Sequence, residues 1–229
     1  MSKFVAGALA IGLVSCAGIA GAASLEVVDA GGAVRDLGGL FDLDNSPAYS
    51  ALVSPGAASK GDAVTVFTGA AKTGENGLFL TQRSRVTFTY LGSEAAFTNF
   101  ALDLLGDTVL FRNNGDGATA IGATSASFVF DSGFLPFAFQ SFGVGQIDNN
   151  GFATGGALLE LAFSALFNDG NSVVALFGDT GANVDGDLDD LGVRIDVAPV
   201  PLPAAAWLLL SAFGGLGWLS RKRRAHRVA

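Results

Sequence analysis

The chain is poorest in the side chains on which most enzyme chemistry depends. Among its 229 residues there is one cysteine, Cys16, and one histidine, His226. Both lie close to the termini, so residues 24–198 contain neither thiol nor imidazole. That excludes a disulfide framework, a cysteine nucleophile, a histidine general base and a His/Cys zinc site from the body of the chain. Serine–histidine–aspartate catalysis is excluded with them. Basic residues are scarce too: 13 Lys and Arg face 21 Asp and Glu. All 21 acids fall within residues 24–198, with only seven of the cations, giving that segment a net charge near −14. Such a charge repels nucleic acid and anionic lipid. It offers hard oxygen ligands to divalent cations instead.

What is abundant at the C-terminus is apolar. From Leu202 to Leu219 the chain carries no charge. Those residues, at ~1.5 Å rise each, make a helix about 27 Å long, close to the hydrocarbon thickness of a bilayer. Trp207 and Trp218 stand near the two ends of the run, where aromatic rings suit the interfaces. Arg221, Lys222, Arg223, Arg224 and Arg227 follow at once and keep that side cytoplasmic. A single transmembrane helix over 202–220 with a basic cluster at 221–227 is expected, its N-terminal side facing out. Pro201 and Pro203 stop any helix upstream and leave an extended, accessible segment there.

The order of these features is specific. Val200-Pro201-Leu202-Pro203-Ala204, one span and an Arg-rich end resemble the VPLPA variant of the PEP-CTERM sorting signal. The resemblance covers about thirty residues. It implies recognition by an exosortase, an integral-membrane cysteine transpeptidase, with processing near the motif. The usual Pro-Glu-Pro is Pro-Leu-Pro here, which places the chain in the variant subgroup. On physics alone a plain permanent anchor would look the same. Thr87–Asn99 and Asp185–Asp196 also resemble segments that recur in exported proteins of this sorting class.

The N-terminus agrees with export. Lys3 gives a basic start, Phe4 to Val14 is apolar, and small residues lead to Ala20-Gly21-Ala22-Ala23. This is the pattern of a secretory signal peptide over 1–23, cleaved after Ala22 or Ala23. Leu13-Val14-Ser15-Cys16 also resembles a lipobox, in which Cys16 would become a lipidated first residue. The Ala-x-Ala site at its expected distance favours ordinary cleavage, with Cys16 discarded. The parts of the chain are therefore a signal peptide at 1–23, an exported domain at 24–198 and a sorting signal at 199–229. The implied partners are signal peptidase, the general secretion machinery, the exosortase and the membrane. The implied location is the surface or exterior of a Gram-negative-type bacterium.

Within the exported domain, short apolar stretches alternate with Gly/Asp/Asn turns. Arg85–Leu91 is the clearest strand, with Val86, Phe88 and Tyr90 on one face. Further strands are expected at 24–29, 63–67, 77–81, 97–102, 108–112, 125–130, 134–140, 158–167, 172–177 and 192–197. Asn113–Gly117, Asp148–Gly151 and Asn168–Asn171 are turn formers. Residues 157–166 read as a strand or a short helix. Residues 30–60, rich in Gly, Ala and Ser, read as a long loop. The fold class is all-β, a jelly-roll-like β-sandwich. The 19 phenylalanines fill an inter-sheet core on the simplest reading, or line an exposed sugar-stacking face on a sharper one.

One cluster carries candidate chemistry. Asp185, Asp187, Asp189 and Asp190 crowd one turn, with Asp179 and Asn183 upstream. Alternating carboxylates suit Ca²⁺, which takes six to eight oxygen ligands. The stretch is no EF-hand: Asp190 stands where the loop needs glycine, and Asp196, on an expected strand, stands where glutamate is usual. A solvated acidic loop is the plainer alternative. The function expected is that of a non-catalytic secreted or cell-surface protein, structural or adhesive in an extracellular matrix or biofilm. The matrix, with its polysaccharide, is implied by the family resemblance alone. The alternatives are a Ca²⁺-dependent carbohydrate-binding module and a glycoside hydrolase built on Glu94 or Glu160 with an Asp.

Overall fold

The computed structural model describes residues 24–29, 32–68, 76–149, 153–154, 159–179 and 187–200, and these form three antiparallel sheets. Strands are numbered here in chain order. The largest sheet runs, in space, β2 (Ala33–Asp36), β3 (Ala63–Thr68), β13 (Glu160–Ser164), β14 (Ser172–Gly178), β15 (Leu191–Pro199), β5 (Ser84–Gly92) and β8 (Phe128–Phe130). A second runs β12 (Ala153–Thr154), β11 (Gly145–Asp148), β10 (Phe137–Ser141), β6 (Asn99–Asp103) and β7 (Thr108–Arg112). The third is β1 (Leu25–Asp29), β4 (Asn76–Leu80) and β9 (Gly133–Phe134). The domain is all-β and β-sandwich-like. Among the described residues no helix is long and apolar enough to cross a membrane. The signal peptide, with Cys16, Ala22 and Ala23, lies outside the described residues. So do Pro201 to Ala204, the expected span and its basic cluster.

The main core lies between the large sheet and the other two. Val86, Phe88 and Tyr90 of β5 point into it, as their alternation requires, beside Phe163, Phe177, Ile195, Phe137 and Phe139 from neighbouring strands. The rings meet mostly edge to face: Phe137 with Phe139 at 5.8 Å and 89°, Phe67 with Phe163 at 6.0 Å and 63°. These are the favoured quadrupole geometries. Most of the described phenylalanines are therefore core, and both tyrosines, Tyr49 and Tyr90, are buried as well.

A second core covers the opposite face of the large sheet, where a loop was expected. Residues 30–60 contain β2, a turn of 3-10 helix at Leu43–Asn45 and the short α1 (Pro47–Leu52). Pro47 opens α1 at its first turn, where the missing N–H costs nothing. Leu37, Phe41, Leu43, Tyr49 and Val53 of this cover pack onto Val64, Val66, Ala162, Val174 and Leu176 of the sheet. Tyr49 Oη donates to the Ala58 carbonyl at 2.5 Å, fastening the end of the cover. With both faces covered, β14 is buried at every position, which is why its sequence does not alternate.

Two other expectations change. The helical option at 157–166 gives way to strand β13 within the described residues. The expected strand 134–140 is two strands, β9 and β10, that join different sheets. Pro136 lies between them and has no N–H for a ladder. The Asn168–Asn171 turn is as expected. Asn168, Asp169 and Gly170 adopt φ of 51°, 57° and 77°, a left-handed run that Asn, Asp and Gly tolerate best.

Candidate functional site

The acidic turn is built where three separate segments converge. Strands β5 and β15 pair with Gly92 opposite Gly192, beside a bulge at Gly192/Val193. Continuing past Gly92, the β5–β6 loop runs alongside the residues that precede β15. Glu94 N–H donates to the Asp189 carbonyl at 2.9 Å. Ser93 Oγ donates to the Asp190 carbonyl at 2.5 Å. The third segment is the cover: Asp42 N–H donates to Asp189 Oδ2 at 2.6 Å.

Leu188 sets the directions of the acids around it. Its φ is 65°, a left-handed conformation uncommon for a bulky residue. Its side chain is buried in the second core. Asp187 and Asp189, on either side, are both buried. One carboxylate oxygen from each of Glu94, Asp187 and Asp189 lies within 4.8 Å of the other two. Glu94 is exposed and opens this group to solvent.

Asp190 belongs to a neighbouring arrangement. Its Oδ2 accepts the Asp179 N–H at 2.5 Å. The Asp179 carboxylate accepts from Asn99 Nδ2 at 2.9 Å and from Ser141 Oγ at 3.4 Å. Asn99 Nδ2 also reaches the Asp190 carbonyl at 3.3 Å. Of the four acids expected to act together, Asp187 and Asp189 are brought together and Asp190 turns to Asp179. Asp185 lies outside the described residues. Asp196 is engaged on its strand by Ser172 Oγ at 2.6 Å and by Arg194 Nη2 at 2.7 Å.

The electrostatics follow first from burial. Burial pushes the Asp189 carboxyl up from 3.8 to about 7; the Asp42 N–H opposes that rise, and Asp187 and Glu94 add to it. Burial likewise pushes Asp190 up to about 8, opposed by the Asp179 N–H and reinforced by Asp179 and Asp187. Two side-chain oxygens in this region are buried with no hydrogen-bond partner: Asp189 Oδ1 and Asn99 Oδ1. Both residues are 0% exposed.

Glu94, a candidate hydrolase carboxylate, lies in this acidic group. Its partners arrive through the pairing of β5 with β15, which no local motif signals. Glu160, the other candidate, sits on β13 and accepts two bonds from Arg35, at 3.2 Å to Oε1 and 2.5 Å to Oε2. This bidentate pair ties edge strand β2 to the sheet. No family model and no curated protein matches the sequence.

Proposed function

We propose that this chain is an exported, non-catalytic protein displayed at or released from the cell surface by a C-terminal exosortase-type signal. Its all-β domain is structural or adhesive in an extracellular matrix. The observation that carries the reading is the sequence of the C-terminal thirty residues: sorting motif, single span and basic stop in that order. The end of β15 at Pro199 supports it by placing the last strand directly before the motif, where Val200 N–H donates to the Arg83 carbonyl at 3.1 Å. The finer fold reading, a jelly-roll-like sandwich, is supported by ladders between strands distant in sequence, β3 with β13 and β5 with β15.

Intact-mass analysis of the mature protein from its host tests the proposal. The expected mass lacks residues 1–23 and the segment after the motif. A mature chain retaining residues 205–229 would replace sorting by permanent anchoring, and a lipid on Cys16 would replace ordinary cleavage. A second reading, Ca²⁺-dependent carbohydrate binding, is favoured by one observation. Phe97 and Phe142, 51% and 74% exposed, flank the loop that carries Glu94, with Phe142 N–H bonded to the Thr98 carbonyl. Glycan-array binding that requires Ca²⁺ would select that reading, and Ca²⁺-independent or absent binding would reject it.

A further inference from the structure

We propose that Glu94, Asp187 and Asp189 form a divalent-cation site, suited to Ca²⁺, that fastens the β5–β6 loop and the cover to the residues entering β15. The proposal rests on the geometry of these residues and is independent of the sorting reading.

An acidic group on a surface is by itself only a solvated patch, but this one is not on the surface. Asp187 and Asp189 are both buried. The second observation is independent of charge. Asp189 Oδ2 is occupied by the Asp42 N–H, whereas Oδ1 is wholly buried without a partner. Buried polar atoms in folded proteins are satisfied by protein, water or an ion, and a carboxylate oxygen is the costliest to leave bare. Asn99 Oδ1 is equally buried and partnerless, on a side chain whose Nδ2 donates to the Asp190 carbonyl.

The donor set selects the kind of cation. It is all oxygen, and residues 24–198 contain no His or Cys, so zinc-type and copper-type sites are excluded. Two oxygens on opposite sides of a Ca²⁺ ion, each at 2.3–2.6 Å, stand about 4.6–5.2 Å apart. The carboxylate oxygens here lie within 4.8 Å of one another, a spacing that one Ca²⁺ ion can bridge. Mg²⁺ demands a tighter, near-octahedral shell and gives up its water reluctantly. The exposed side of Glu94 leaves room for the waters that complete a Ca²⁺ shell.

The consequence is structural. Three parts of the chain distant in sequence meet here: residue 42 from the cover, 94 from the β5–β6 loop and 187–189 from the approach to β15. An ion there neutralises their mutual repulsion and links the second core to the edge of the first.

The test uses the full chain in mild detergent, stripped with chelator and then titrated with Ca²⁺ by calorimetry and by thermal melting. One ion is expected to bind per chain, and Tm is expected to rise in millimolar Ca²⁺ and fall again on adding EDTA. Glu94→Gln, at an exposed position, should weaken binding by roughly tenfold or more. Asp189→Asn should abolish the Ca²⁺ response while melting higher than the wild type in EDTA, because it removes a buried negative charge. Asp131→Asn, on the exposed β8–β9 turn, should change neither. A folded wild type that shows no heat and no Tm shift with Ca²⁺ would overturn the proposal. So would Glu94→Gln and Asp189→Asn variants that bind as the wild type does. Equal stabilisation by Mg²⁺ would overturn the assignment to Ca²⁺.

Discussion

Replacing Asn149 by alanine should cost the domain about 3 kcal/mol, and the figure follows from counting which partners are left bare. Asn149 is 2% exposed and joins the small sheet to the stretch between β9 and β10. Its Oδ1 accepts the Leu78 N–H at 2.7 Å, and its Nδ2 donates to the carbonyls of Leu78 and Leu135 at 2.7 and 2.8 Å. The two carbonyls would not be orphaned. Leu78 O still accepts from Leu135 N–H at 3.0 Å, and Leu135 O from Phe137 N–H at 2.9 Å. Only the Leu78 N–H loses its acceptor. One buried orphan donor costs about 1–3 kcal/mol, and two further lost bonds add about 0.5–1 kcal/mol each. Asn149→Asp is the sharper perturbation. It preserves shape and the acceptor for Leu78 N–H but sets a carboxylate oxygen against two carbonyls. Its cost should exceed that of alanine, at roughly 4 kcal/mol or more.

Thermal unfolding followed by circular dichroism measures both. For a domain of this size, 3 kcal/mol corresponds to a fall in Tm of about 6–12 °C. The Asp variant should melt lower still at neutral pH. An Asn149→Ala variant that melts within about 2 °C of the wild type would refute the accounting. So would an Asp variant more stable than the Ala one, because it would show that the Nδ2 bonds contribute nothing.

Gly77→Ala should be more damaging than its size suggests. Its φ is 111°, and an added Cβ would stand 1.9 Å from the Asn149 carbonyl oxygen, which is backbone and has no side-chain rotamer to relieve it. Little soluble protein is expected, whereas Gly143→Ala, at φ 77° with nothing within 4 Å, should lose only about 1 kcal/mol; equal yields and melting points would contradict this. Phe41→Ala removes a fully buried ring that meets Tyr49 edge to face at 6.1 Å and should cost about 3 kcal/mol. It should also admit protease to residues 37–62, which the wild type should resist; equal cleavage of both would return that segment to the status of a loop. Alkaline titration reads the two tyrosines: burial raises Tyr90 to about 12 and Tyr49 further. The folded state therefore holds these protons more tightly than the unfolded chain does. The stability they contribute is complete below pH 10 and falls as pH climbs through 12. Tyrosinate absorbance should be absent at pH 10 and appear together with unfolding, and a normal titration near pH 10 in the folded protein would refute burial of either ring.

Strand β5 was legible because a half-buried strand writes its faces into alternate residues: Val86, Phe88 and Tyr90 in one row, Arg85 and Thr87 in the other. The cover was not. Leu37, Phe41, Leu43, Tyr49 and Val53 follow neither period two nor period 3.6. They become a core only against Val64, Val66, Ala162, Val174 and Leu176, which arrive from three other strands. The acidic group was half legible for a similar reason. Asp187 and Asp189 are neighbours in sequence, so their crowding could be read directly. Glu94 reaches them only through the register of β5 on β15, and Asp190 leaves them for the Asp179 N–H. Local sequence carries neither fact. Pro136 was a local signal in plain view, since a residue without an N–H inside an expected strand marks the point where β9 and β10 part.

The direction of β15 connects the two ends of the functional reading. The strand begins beside Asp190 and runs nine residues to Pro199, about 30 Å at the ~3.3 Å rise of an extended chain. Its partner β5 runs the other way, so Ser84 faces Pro199 while Gly92 faces Gly192. Glu94, Asp187 and Asp189 are therefore gathered at one end of the sheet, and Val200 leaves from the other. Phe97 and Phe142 belong to the first end, because Asn99, at the start of β6, donates to the Asp190 carbonyl and pairs with Ser141. Under the surface-display reading proposed above, the tail would hold the domain by the end opposite Glu94, Asp187 and Asp189. The carboxylates and the two exposed rings would then stand about a strand's length away from the membrane, where a matrix component can approach them. An ion bound there would brace the outermost loops of the domain without competing with whatever holds the tail.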